Sequence, residues 1–136
     1  MSYGVAAALQ AAVFARLAGD AALAGQVGGA IYDALPPGTL PQLYVALGPE
    51  VVRDRSDQTG AGAEHEFTVS VVTDAAGFVA AKAAAVAVSD ALVDAPLVLA
   101  RGRLVALNFH RAAAERVAAG TRRQIDLSFR ARVEDD

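Results

Sequence analysis

Residues 64–93 read EHEFTVSVVTDAAGFVAAKAAAVAVSDALV, and the hydrophobic period changes partway along. In the first part His65, Phe67, Val69 and Val71 alternate with Glu64, Glu66, Thr68 and Ser70, the pattern of a strand with one apolar and one wet face. From residue 75 to 93 Phe78, Ala81, Ala85, Val88 and Leu92 recur at helical spacing, a helix for which Asp74 is the expected N-cap and Pro96 the stop. A strand that leads straight into an amphipathic helix places helix against sheet.

The flanks repeat this grammar. Val5, Leu9, Val13 and Leu17 mark a helix from Tyr3 to Ala18 that Gly19 ends, and Asp20 is placed to cap a short second turn bearing Leu23 and Val27 before Gly28 and Gly29. Ile31 and Tyr32 lead into the Pro36-Pro37-Gly38 turn. Leu43, Val45 and Leu47 alternate with polar or small residues, Gly48-Pro49 punctuates, and residues 51–55 form a second extended run, read as a neighbouring strand. Thr59 to Ala63 is read as a flexible tip. Val105, Leu107 and Phe109 make another short strand after the Arg101-Gly102-Arg103 turn, and residues 111–120, rich in alanine, show no period that settles their state. Ile125, Leu127, Phe129, Ala131 and Val133 define the last strand, beyond which Glu134-Asp135-Asp136 is expected to fray. The order helix, strands, helix, strands predicts a single α+β domain over residues 1–136: a mainly antiparallel sheet, two principal helices on one face, and a second face open to solvent or to a partner.

Composition narrows the function classes. Of 136 residues 33 are alanine, while Val, Leu, Ile and Phe together number 37, about 27% and above the ~20% floor under which charged chains stay disordered. The net charge of −3 gives no overall basic footprint for nucleic acid, and the absence of cysteine excludes disulfides, thiolate catalysis and thiolate metal sites. The first fifteen residues are uncharged, but no Lys or Arg precedes Val5 and the run ends at Arg16, which reads as a soluble, unexported chain.

Catalytic constellations are weak throughout. His65 and His110 lack a third ligand partner and fit the rim of the apolar strand face and a polar strand edge better than a metal site. Gly60-Ala61-Gly62 leads into a strand, not a helix N-terminus, so it is no phosphate loop. Glu64 and Glu66 share a solvated face, and none of Ser56, Ser70, Ser89 or Ser128 sits in a nucleophile elbow. The expectation is therefore no catalytic residue, no cofactor and no metal. Arginines are the clustered feature: Arg53 and Arg55, Arg101 and Arg103, Arg122 and Arg123, Arg130 and Arg132 lie on extended or turn structure, where guanidinium groups suit carboxylate-rich protein partners.

In order, the N-terminal helix, residues 31–36 (IYDALP), 41–48 (PQLYVALG), 59–67 (TGAGAEHEF), the alanine-rich helix and 104–109 (LVALNF) resemble the tail completion or tail-terminator proteins of long-tailed bacteriophages, above all those of alphaproteobacterial gene transfer agents. The resemblance implies a structural, non-enzymatic protomer with a fold like the lambda tail terminator. It implies a six-membered ring that caps the tail tube and joins it to the head-side connector, assembled in the bacterial cytoplasm. Its partners would be further copies of the chain, the tail tube protein and the head-side stopper, with DNA passing through the lumen. Six copies at −3 each carry −18, a charge that repels phosphates instead of holding them. The loop from Asp57 to Glu64 falls where a ring or tube contact is expected, so the candidate interface comprises Arg53, Arg55, Asp57, Thr59, Gly60, Gly62, Glu64, Arg130 and Arg132. The competing reading is a small ligand-binding or enzymatic domain that uses the open sheet face, which requires a pocket with convergent polar groups.

Overall fold

The structure is a computed structural model, and it describes residues 3–58 and 60–135. Three helices, α1 (Ala6–Ala18), α2 (Ala21–Val27) and α3 (Val79–Leu92), lie with five strands, β1 (Ile31–Tyr32), β2 (Leu43–Asp54), β3 (Ala61–Thr73), β4 (Arg103–Val117) and β5 (Arg122–Asp135). The sheet order is β1-β2-β3-β5-β4, with β1 parallel to β2 and every other pair antiparallel. The α+β class and mainly antiparallel sheet are as the sequence predicts.

The alternating residues of β3 and β5 build the core. Phe67, Val69 and Val71 pair across the ladder with Phe129, Leu127 and Ile125, and all six are buried. Phe67 stacks on Phe129 with ring centroids 5.6 Å apart, and Phe109 meets Phe129 edge-on at 6.0 Å. α3 covers this face, and it buries Ala84, Ala87 and Ala91 in addition to the expected Ala81, Ala85, Val88 and Leu92, because α1 and α2 pack on it as well. Alanine lets these helices approach closely with little side-chain entropy lost. In α2 the Asp20 carboxylate accepts from the Leu23 N–H at 2.9 Å, the cap the sequence predicts.

Six local readings change. α1 starts at Ala6, behind a turn in which the Ala6 N–H donates to the Tyr3 carbonyl. Residues 43–54 are one strand, not two: Gly48-Pro49 sits at a bulge between Leu47 and Glu50, which an outer stretch of sheet tolerates where an inner strand would not. Ala61, Gly62 and Ala63 belong to β3 and not to a flexible tip. Asp74 does not cap α3, whose N-cap position is Phe78 with no side-chain bond; residues 74–77 are used up in turning from sheet to helix, and the Thr73 hydroxyl accepts the Ala75 N–H at 3.1 Å. Residues 111–117 complete β4, and the turn beyond holds Ala118 and Ala119 at φ of 53° and 56°, a left-handed conformation that glycine or asparagine adopts with less strain. Glu134 and Asp135 remain in β5, bound by Arg103 and Arg101, while Asp136 lies outside the described residues.

The second face of the sheet is wet over most of its area. At one end the loop of residues 38–42 lies beside Tyr44 and Val72, both buried although they point away from the helices. No single helix is long and apolar enough to cross a membrane among the described residues.

Gly102 is a backbone requirement of the α3–β4 connection. Its φ is +69°, and a Cβ there would run into the Glu134 carbonyl and a Val5 methyl. Gly102→Ala is expected to lose about 1–3 kcal/mol from backbone strain and displacement of β5, whereas Gly38→Ala, at φ +89° with open space around it, loses only the conformational part. Urea unfolding of the two variants checks the ordering.

Candidate protein-interaction surface

The wet face gathers its charges because β3 is flanked by β2 and β5. Register pairs Arg53 with Glu64 and Glu64 with Arg132, and one step along it pairs Glu66 with Arg130, so side chains from three strands form one corner of alternating charge. Arg130 Nε donates to Glu66 Oε1 at 3.2 Å and lies 3.9 Å from Glu64 Oε1; Arg55 Nη2 lies 4.0 Å from the same Glu64 oxygen. Arg132 Nη2 donates to the Arg55 carbonyl at 3.0 Å, tying β5 to the base of the β2–β3 loop.

That loop is internally bonded. The Ser56 hydroxyl donates to Asp54 Oδ1 at 2.6 Å and accepts from the Gly62 N–H at 3.2 Å, and the Gly60 N–H donates to Asp57 Oδ1 at 3.0 Å. The Ser56 hydroxyl and N–H together hold the Asp54 carboxyl below the usual carboxylate range. Gly62 is needed here, since a Cβ would stand 2.8 Å from the Arg55 carbonyl oxygen.

The candidate residues therefore converge: Arg53, Arg55, Glu64, Arg130 and Arg132 share one corner, with Asp57, Gly60 and Gly62 in the adjoining loop. Thr59 lies outside the described residues. Sequence reasoning missed the part played by Glu66 and His110, whose Nε2 is 3.2 Å from Arg130 Nη2 and 3.8 Å from Glu66 Oε1. His110 sits at a bulge of β4, and nothing in local periodicity announces that position. Of the other arginine pairs, Arg101 is bidentate to Asp135, which raises the pKa of the guanidinium, and Arg103 binds Glu134; these join β5 to the α3–β4 connection.

His65 is not at the rim. It is fully buried on the helix face, with its ring stacked at 6.4 Å on Tyr3, Nδ1 3.2 Å from Glu50 Oε2, and Nε2 unpartnered among the described residues. It faces the opposite side of the sheet from the Glu66–Arg130–His110 cluster, so the two histidines share no site. Beside the charged corner the face continues as a shallow trough of about 370 Å³ with Glu66, Thr68, Ser70, Arg111 and Asp126 along it, Asp126 already accepting from Ser70 Oγ at 2.6 Å.

Exposed pairs of this kind contribute about 0.2–1 kcal/mol each, so the corner adds little to stability. What it offers is a patterned, arginine-rich surface of the kind enriched at protein interfaces.

A family model described as "Tail completion protein gp17" matches residues 11–134. Among solved structures, a chain in the virion of a native gene transfer agent (GTA) particle is 66% identical, with a TM-score of 0.94 over 98% of this chain and 99% of that one. No curated protein sequence gives a significant match.

Proposed function

Since the chain belongs to the tail completion protein gp17 family, a family of structural virion proteins, we propose that it is the tail terminator of a gene transfer agent particle. Six copies form a ring that stops growth of the tail tube and presents the surface to which the head-side connector binds. The observation that carries this reading is the end-to-end likeness, at 66% identity, to a chain of a gene transfer agent virion. The part is structural, and no residue is assigned to catalysis, a cofactor or a metal.

The charged corner fits this part. The β2–β3 loop and the β4–β5 turn lie at opposite ends of the sheet, as the antiparallel registers require. With β1 and β4 as lateral edges, a ring is closed side to side and the two ends point along the tube axis. Arg53, Arg55, Asp57, Thr59, Gly60, Gly62, Glu64, Arg130 and Arg132 then meet a neighbour in the axial stack, the tail tube or the head-side stopper. DNA passes through the lumen without specific binding, and assembly takes place in the bacterial cytoplasm. Electron microscopy of particles made without the chain tests the reading: tails of uncontrolled length, or tails detached from heads, are expected. Tails of normal length joined to heads would overturn it.

A further inference from the structure

β4 is the odd element of the fold. It is a lateral edge strand of 15 residues, and from Asn108 to Arg116 every residue is exposed although the stretch includes Phe109 and three alanines. An edge this long is normally covered or made short. Beneath it, between α3 and the strand, runs an apolar groove of about 360 Å³ with Val86, Phe109, Ala112, Ala114 and Ile125 in its walls. Val86 is 58% and Phe109 46% exposed. One cation lines the groove, Lys82 on α3, and a second, Arg116, lies beyond it on β4, where it continues the alternating series of Ala112 and Ala114 on the same side of the strand. Neither forms an ion pair among the described residues.

Charge is divided unevenly between this hairpin and the remainder. Residues 111–123 hold Arg111, Arg116, Arg122 and Arg123 against Glu115, a net +3, so a chain of net −3 leaves −6 elsewhere. A second copy is thus a complementary partner, provided that it offers an apolar side chain beside an acid. Among the described residues six large apolar side chains are exposed outside the groove: Tyr3, Leu35, Val51, Val79, Val98 and Val105; Val105 lies on β4 itself and Val79 opens α3 three residues before Lys82, so neither brings an acid to the contact. Leu35, 53% exposed, has close by an acid with no ion pair among the described residues, Asp33, whose Oδ1 accepts from Gln10 Nε2 at 2.8 Å, and no base in its loop; Val51 lies between Glu50, engaged by His65, and Arg53. Leu35 follows β1, the edge opposite β4.

We propose that the α3–β4 groove of one copy receives the Asp33–Leu35 segment of the next, with Leu35 on the apolar wall and Asp33 between Lys82 and Arg116. The contact joins opposite edges of the same sheet, so it is heterologous and repeats from copy to copy, as closure of a ring demands. It rests on the ring reading above and specifies the surface that makes the ring.

Because the chain has no cysteine, engineered thiols report the contact cleanly. In the Leu35→Cys, Val86→Cys double variant Leu35 lies just beyond β1 and Val86 in the wall of the groove beneath β4, the opposite edge of the sheet, whereas a disulfide within one copy needs Cα atoms within about 7 Å. Oxidation of the purified chain and of particles containing it is expected to give a ladder of covalent multimers for the double variant and monomer for each single variant. Monomer in both preparations of the double variant, or dimers from Val86→Cys alone, would overturn the proposal. If a ladder forms while particles lacking the chain have normal, attached tails, the edge contact stands and the terminator reading falls.

Discussion

Phe129→Ala should lower stability by about 3–5 kcal/mol, the range for truncating a buried aromatic ring. Phe129 is 0% exposed at the centre of β5, with Phe67 stacked on it at 5.6 Å and Phe109 edge-on at 6.0 Å. Its removal leaves a void bounded by a strand on each side and by α3 above, none of which can collapse without breaking the ladder from Phe67 through Phe129 to Phe109. In thermal unfolding the loss corresponds to a fall of roughly 10–15 °C for a domain of this size. Phe109→Ala supplies the contrast: its ring is 46% exposed, so the same truncation should cost well under half as much. Equal effects at the two sites would mean that β4 is covered in solution, which is itself what the proposed copy-to-copy contact predicts for the assembled form. Dilution then separates the cases, because a contribution from a second copy depends on protein concentration.

The fold was legible where the two faces of an element differ. β3 and β5 each alternate large apolar and polar residues because helices cover one side and water the other, so burial follows the period of two position by position. β4 was legible only to Phe109 for the converse reason. Its second half is exposed on both sides, the sequence Arg111-Ala112-Ala113-Ala114-Glu115-Arg116 has no apolar contrast to mark a face, and alanine alone favours helix. Gly48-Pro49 misled in the other direction. A proline at a bulge loses nothing there, since β1 pairs only with Val45 and Ala46 and leaves that side of β2 free, yet in sequence the pair is indistinguishable from a turn.

The candidate surface was half legible for a related reason. That arginines come in pairs is visible directly, and those two apart along one strand, such as Arg130 and Arg132, must share its face. That Arg53, Glu64 and Arg132 form a row, with Glu66 and Arg130 in the next, depends on β3 lying between β2 and β5, and no local pattern encodes which strands are neighbours. Likewise the shared spacing of Arg101 and Arg103 with Arg130 and Arg132 hid a difference in role, as the first pair is occupied by Asp135 and Glu134 within the chain.

Arg53→Glu combined with Arg55→Glu is expected to abolish incorporation into joined particles while leaving the fold almost unchanged. Both side chains are exposed, the closest ion pair either makes among the described residues is the 4.0 Å approach of Arg55 to Glu64, and the bond that fastens this loop to β5 uses the Arg55 carbonyl, which the substitution keeps. The loss in stability should therefore be about 1 kcal/mol or less, the combined scale of two weak surface pairs plus the new repulsion with Glu64. At the proposed interface the same change reverses two charges in a contact repeated around the ring, so its effect multiplies with the number of copies where the stability effect does not. Circular dichroism melting of the purified variant and electron microscopy of particles from cells producing it give the two readouts. A near-normal melting temperature with heads and tails unjoined is the expected result; normal particles would remove the charged corner from the axial contact, and a collapsed melting temperature would show that the corner holds the fold instead.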